Sequence, residues 1–297
     1  MTNKLNEHGQ PIIRGYNHTN NKIKALLALR GILEGVTSDQ KLNETELLFL
    51  DMWLKTDDDI KDDGDFLDLR DIIEDILEDG VIEPEELEEL QAAVQDVLDY
   101  GYNDLLGSEA VINQFLGFLQ GITSDDSLHD KEIMKLKELL ENNEDTISRW
   151  PGDIIYRRLI AILEDGVIDE EERADLLSML KGICGQQFTD TGDAECVSTD
   201  FFANDIEIEC LLNKTVCFTG KFIAGTRKTL EAAAKSHGAI VKKDVVQTLD
   251  YLVIGSMASR DWKFTSHGRK IEATIANQRL GFPSQIIKEE AWSSFIE

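Results

Sequence analysis

The chain has 297 residues, 42% of them hydrophobic and only four of them proline, which excludes wholesale disorder and allows two or three domains with ordinary cores. Its formal net charge of −28 is unevenly placed: residues 213–297 carry 13 Lys and Arg against 8 Asp and Glu, whereas residues 1–212 carry 17 against 50. An anionic partner would be repelled by one part and attracted by the other. The cysteines at 184, 196, 210 and 217 form no Cys-x-x-Cys pair, and no apolar run approaches the roughly 20 residues of a membrane-spanning helix. A disulfide framework, a thiolate zinc site and a membrane anchor are therefore not expected, and the cytoplasm is the expected compartment.

Residues 1–21 are polar and aperiodic, with Gly9, Pro11 and Gly15, and read as a flexible arm. From Lys22 onward Ile23, Leu26, Leu27, Leu29, Ile32 and Leu33 fall on one face of a helix. A repeat then appears. Gly35-Val-Thr-Ser-Asp39 recurs as Gly121-Ile-Thr-Ser-Asp125, and Glu78-Asp-Gly-Val-Ile82 recurs as Glu164-Asp-Gly-Val-Ile168, both at an offset of 86. The region reads as a tandem duplication, with helical repeats at 22–100 and 109–186.

Each half holds a shorter echo: Asp39, Leu42, Glu46 and Asp79, Ile82, Glu86 in the first, Asp125, Leu128, Glu132 and Asp165, Ile168, Glu172 in the second. One helix ends near the Asp, the apolar residue plugs the gap, and the next helix starts with acidic residues in its first turn. Four such hairpins predict about eight helices packed as two similar all-α bundles. The acidic turns have two readings. Asn43 with Glu46 and Asp169 with Glu172 have capping-box spacing, and Pro84 suits a first helical position, so capping alone explains the pattern. The alternative is a set of hard oxygen ligands for calcium or magnesium. The segment Asp57–Asp65 is not an EF-hand: counting from Asp59, Gly64 falls at position six but Arg70 stands where a bidentate Glu is required. No metal site is assigned. The hairpins with their Asp-Gly-Val-Ile turns resemble TerB-like helical domains over about residues 23–186. That resemblance implies an all-α fold and an acidic surface for metal or protein contact.

Residues 187–212 hold seven acidic residues and no Lys or Arg, and read as an acidic linker in which Phe201 and Phe202 are candidates for docking. From Lys214 the pattern changes to α/β. Thr215–Thr219 suits a buried strand, Gly220 a tight turn, and a helix carrying Leu230, Ala233 and Ala234 runs from Thr226 to His237 before Gly238. A β-rich run covers Ala239–Val246 and another Tyr251–Ile254. A helix follows from about Arg269 to Gln278, then Gln285–Ile287 and a short helix holding Trp292 as a core anchor. This order implies a small parallel sheet flanked by helices.

The residues Phe218-Thr219-Gly220, Arg227, Gly238, Thr248–Gly255, Lys270 and Trp292 resemble a BRCT domain over 213–297, in particular the single BRCT domain of bacterial NAD-dependent DNA ligases and of the replication factor C large subunit. The stretch Ser256–Arg269 is longer than in those ligases. The resemblance assigns Thr219, Gly220 and Lys270 to a phosphate pocket, with Arg227 at the position that helps hold a 5′ phosphate in DNA-end-binding members. The chemistry agrees, because a hydroxyl and a backbone N–H at a strand end, with an ammonium group reaching in, supply both donors and charge. Lys221, Arg260, Lys263 and Arg269 are candidate contacts along a DNA backbone, and Trp262 a candidate for stacking. Each residue also has a structural alternative: Thr219 satisfying the strand end, Gly220 serving the turn, the cations lying exposed, Trp262 packing on its own domain.

No nucleophile elbow, Walker loop, His pair or adenylation machinery is present, so the chain reads as a non-enzymatic binding protein without a cofactor. The expectation is an adaptor that binds DNA, at 5′-phosphorylated ends or nicks, in replication or repair, while the acidic helical part contacts another protein. The alternatives are a phosphopeptide-binding module and a divalent-metal-responsive stress protein with a docking domain.

Overall fold

The computed structural model of the protein describes residues 18–39, 43–56, 64–77, 83–86, 88, 89, 92, 93, 96, 108–194, 203, 204, 208–256 and 267–296. They divide into two units, Asn17–Cys196 and a second that includes Val197–Glu297.

The first unit is helical. Its elements are α1 His18–Val36, α2 Glu44–Thr56, α3 Gly64–Leu77, α4 Ser108–Ile122, α5 Asp130–Glu141, α6 Glu144–Ser148, α7 Gly152–Ile162, α8 Glu170–Cys184 and α9 Phe188–Thr191. The expected face of α1 is the core: Leu26, Leu29, Ile32 and Leu33 are buried. α1 begins at His18, inside the arm expected to extend to residue 21, and Asn21 and Lys22 are already buried.

The two halves do not form separate bundles as expected. α1 and α4 run parallel and press backbone to backbone. A Cβ on Gly31 would strike the Gln114 carbonyl, one on Gly117 would strike the Ala28 carbonyl, and one on Gly35 would lie 2.9 Å from the Gly121 Cα. Each of these contacts recurs at the 86-residue offset. Glycine is what permits the approach, because any side chain at these four positions would push the axes apart.

All four turn glutamates cap their own helices. Glu46 accepts from the Asn43 amide (2.8 Å), Glu86 from the Glu83 amide (2.9 Å), Glu132 from the His129 amide, and Glu172 from the Asp169 amide (3.2 Å). The Asn43 and Asp169 side chains complete the box by accepting from the Glu46 and Glu172 amides at 3.0 and 2.8 Å. Asp125 and Asp165 close the preceding turns by accepting from the Ser127 and Val167 amides, each at 2.9 Å. The two halves also bond across these turns, Asn43 to the Asp125 carboxylate at 2.8 Å and Lys131 to the Asp39 carbonyl at 2.9 Å. Leu42, Asp79, Ile82 and the Asp57–Asp63 part of the rejected EF-hand segment lie outside the described residues.

The second unit has β1 Thr215–Thr219, α10 Arg227–Ser236, β2 Ile240–Val241, β3 Tyr251–Ile254, α11 Arg269–Arg279, β4 Gln285–Lys288 and α12 Glu289–Ile296. The sheet is parallel throughout, in the order β2-β1-β3-β4, with Thr219 level with Ile254 and Ile254 level with Lys288. Val216, Phe218, Val253 and Ile287 pack against Leu230, Ala234 and Trp292, and Phe218 meets Trp292 edge to face at 5.1 Å. The run Ala239–Val246 contains only two strand residues, since pairing with β1 stops at Val216↔Val241.

Residues 187–212, expected as a linker, are built into the two units at their described ends. Phe188 packs on Phe49 and Ala194 is buried in the helical unit. Asn204 exchanges hydrogen bonds with the Ile286 backbone at 2.6 and 2.8 Å, and Ile208 and Leu211 enter the core of the sheet unit. Apolar residues between the acidic ones anchor each end, a signal that net charge conceals. Phe201 and Phe202 lie outside the described residues. Among the described residues no helix is long and apolar enough to cross a membrane.

Candidate functional site

In an all-parallel sheet every strand ends on the same edge, and the helix following each strand begins there. The carboxyl ends of β1, β2 and β3 and the N-termini of α10 and α11 therefore share one edge.

Thr219 ends β1. It is buried, its carbonyl accepts from the Gly255 amide at 2.9 Å, and among the described residues its hydroxyl makes no hydrogen bond. Gly220 follows at φ +89°, a left-handed conformation that turns the chain sharply off the sheet. Lys270, in the first turn of α11, sends its ammonium back to the Phe218 carbonyl at 3.0 Å. Arg227, the first residue of α10, reaches the Gly220 carbonyl at 3.5 Å. The four residues assigned to the pocket thus converge on the end of β1.

Their charge runs against the local field. Cations at a helix N-terminus oppose the helix dipole, by about 0.3–1 kcal/mol each. Arg227 and Lys228 open α10, whose first turn holds no acidic residue, and Arg269 and Lys270 open α11, with Glu272 as that turn's acid. An anion bound at this edge would relieve the conflict. The Lys270 ammonium also lies beside the Cys217 thiol; burial raises that thiol's pKa above the usual range, against the opposing pull of Lys270 and Arg227.

Among the remaining candidates, Arg269 is exposed at the edge, and the Lys221 carbonyl lies so close to Gly255 that a Cβ there would collide with it. Arg260, Trp262 and Lys263 lie outside the described residues.

Two features of the edge escaped the sequence reading. The first is Glu289, buried at the start of α12. Its carboxylate accepts from the Ala224 amide at 2.6 Å and from the Ser256 amide and hydroxyl, each at 2.9 Å, tying together the loops that leave β1 and β3. The second is Lys242-Lys243, which follows the end of β2 and is exposed. Cations directly after a strand in a parallel sheet are the signal that could have found them.

The helical unit has a buried acidic centre of its own. Glu46 and Glu132 are 4% and 3% exposed, and burial, reinforced by Asp125, Asp39 and, for Glu46, Glu132, pushes each carboxyl up to about 8 against the hydrogen bond from its cap amide. Among the described residues no three His, Cys, Asp or Glu side chains are arranged to hold a metal ion.

Residues 207–277 match the family model of the BRCA1 C Terminus (BRCT) domain. The match covers roughly a quarter of the chain and includes Thr219, Gly220, Arg227 and Lys270, but not β4 or the helix carrying Trp292. No curated protein and no solved structure gives a significant match to the chain.

Proposed function

We propose that this protein is a non-enzymatic adaptor whose BRCT segment binds DNA at 5′-phosphorylated ends or nicks, and whose acidic helical unit contacts another protein. The observation that carries the reading is the convergence of Lys270, Arg227 and the unbonded Thr219 hydroxyl on the turn at Gly220, at an edge where two helix N-termini already favour an anion. The match over residues 207–277 supports it, since BRCT domains serve as protein- and DNA-interaction modules in repair and replication. The charge asymmetry fits as well: a module with excess Lys and Arg is joined to a strongly acidic partner unit. On this reading the helical unit is a tandem duplication of a TerB-like hairpin pair, an origin supported by glycine contacts that recur at an 86-residue offset.

The test is equilibrium binding of the full chain to a duplex with and without a 5′ phosphate, alongside Thr219→Ala and Lys270→Glu. Tighter binding of the phosphorylated duplex is expected. Each variant should lose about 10-fold or more of that preference, as for a charge-assisted hydrogen bond. Equal affinity for both duplexes, with both variants binding like the parent, overturns the reading. A clear preference for a phosphopeptide over either duplex moves it to a phosphoprotein partner.

A further inference from the structure

The two sides of the proposed anion site differ. Toward β3 the Gly255 amide is bonded to the Thr219 carbonyl, the Lys221 backbone lies against Gly255, and the Glu289 carboxylate staples Ala224 to Ser256. On that side the described backbone groups are already paired, and the Glu289 carboxylate would repel a second phosphate.

Toward β2 the arrangement differs. In a parallel ladder successive residues bond to alternate neighbours. The Val216 carbonyl accepts from the Lys242 amide at 2.8 Å, so Val216 faces β2, and Phe218, two residues on, faces the same way. β2 has ended by then, and the Phe218 carbonyl is taken by the Lys270 ammonium instead. Lys270 therefore stands on the β2 side of β1, in the space a longer β2 would have filled. The Cys217 thiol, beside Lys270, donates to the Lys243 carbonyl at 3.6 Å, which brings the backbone of the Lys242-Lys243 pair next to the pocket. Both lysines are exposed, and among the described residues neither side chain makes a hydrogen bond or an ion pair, whereas Lys214 at the opposite end of the sheet is held by Asp250 at 2.9 Å. Asp244, the next residue, is exposed too, leaving the turn with a net positive charge.

Resting on the function proposed above, we infer that Lys242 and Lys243 form a second cation centre, which takes the internucleotide phosphate adjacent to the one held at Thr219, so that the bound strand runs off the pocket across the end of β2. A nucleic-acid strand supplies that second charge, because its phosphates repeat every few ångströms. The short β2 becomes functional, since a longer β2 would fill the space in which Lys270 stands and take the Phe218 carbonyl from it.

The test compares the full chain with Lys242→Glu/Lys243→Glu, Thr219→Ala and, as a control of equal sign, Lys235→Glu, which lies in the last turn of α10 and hence at the far edge of the sheet. Each is titrated with phosphorylated and unphosphorylated duplexes at several salt concentrations. The double variant should bind both duplexes about 10-fold or more weakly, with a slope of log K against log salt shallower by about one, while the preference for the 5′ phosphate is unchanged. Thr219→Ala should do the reverse, and Lys235→Glu should change neither. Parental slope and affinity in the double variant overturn the inference, as does an equal effect from Lys235→Glu. A parent chain without phosphate preference but with the slope change removes the end-binding reading and keeps the lysine centre; a parent chain that binds neither duplex removes both.

Discussion

Gly35 and Gly121 meet backbone to backbone across the helical unit, with so little space that a Cβ on Gly35 would lie 2.9 Å from the Gly121 Cα. Gly31 and Gly117 are held closer still to the facing carbonyls of Gln114 and Ala28. Replacing glycine by alanine inside a helix ordinarily stabilises by about 1 kcal/mol. Here the sign reverses: Gly31→Ala and Gly117→Ala should each destabilise the helical unit by about 2–4 kcal/mol, since backbone cannot yield as a side chain can. Urea melts followed by circular dichroism measure this, and a neutral alanine at either site would contradict the contact.

Glu46 and Glu132 make the helical unit sensitive to alkali. Both carboxyls are raised from 4.5 to about 8 in the folded chain by burial, with Asp39 and Asp125 adding repulsion to each and Arg173 opposing it for Glu132. The folded state therefore binds more protons than the unfolded state between these values. Their contribution to stability is complete below about 4.5 and is lost as pH rises through about 8. Glu46→Gln/Glu132→Gln should flatten the fall in urea midpoint between pH 4.5 and about 8, the ordinary and raised values of the two carboxyls. An unchanged slope would mean that these carboxylates titrate normally.

Glu289→Ala should loosen two loops at once. The Ala224 and Ser256 amides would lose their acceptor, a loss of about 1–3 kcal/mol. Faster hydrogen exchange should appear at both amides together, although they are 32 residues apart in the chain. Acceleration at only one of them would show that the carboxylate does not couple the loops.

The cysteines should differ in reactivity. Cys210 is exposed, whereas Cys184 is buried with its thiol pushed up to about 11, and Cys217 is buried with its thiol also raised. Under native conditions at neutral pH, iodoacetamide should label Cys210 and leave Cys184 and Cys217 unmodified until urea is added, as read by peptide mass spectrometry. Early labelling of Cys184 would require local opening of α8.

Local spacing carried much of this in the sequence. Asn43 with Glu46 and Asp169 with Glu172 announce their caps because the interaction spans three residues. His129 with Glu132 does not, since His is a poor N-cap. Thr219, Gly220, Arg227 and Lys270 could be named as a set only through the BRCT resemblance, since each alone reads equally well as a strand end, a turn or an exposed helix residue. Glu289 was not: a Glu opening a helix reads as an exposed dipole partner, and its burial depends on loops 65 and 33 residues away. Lys242 and Lys243 were hidden in a run that reads as strand, since only pairing with β1 decides where β2 ends. The four glycines look like breaks in helical propensity until the facing helix is known.

The parallel seam between α1 and α4 has one more consequence. Two identical chains meeting through such a seam would associate only as far as their concentration allowed, and would place the same residue on both sides. Within one chain the halves meet at a fixed effective concentration, indifferent to dilution. Equivalent positions can also diverge: Glu34, partly exposed and bonded by Gln114 at 3.3 Å, corresponds to Gln120, which is 2% exposed, and Asn43 corresponds to His129. One face can therefore specialise while the other holds the assembly together.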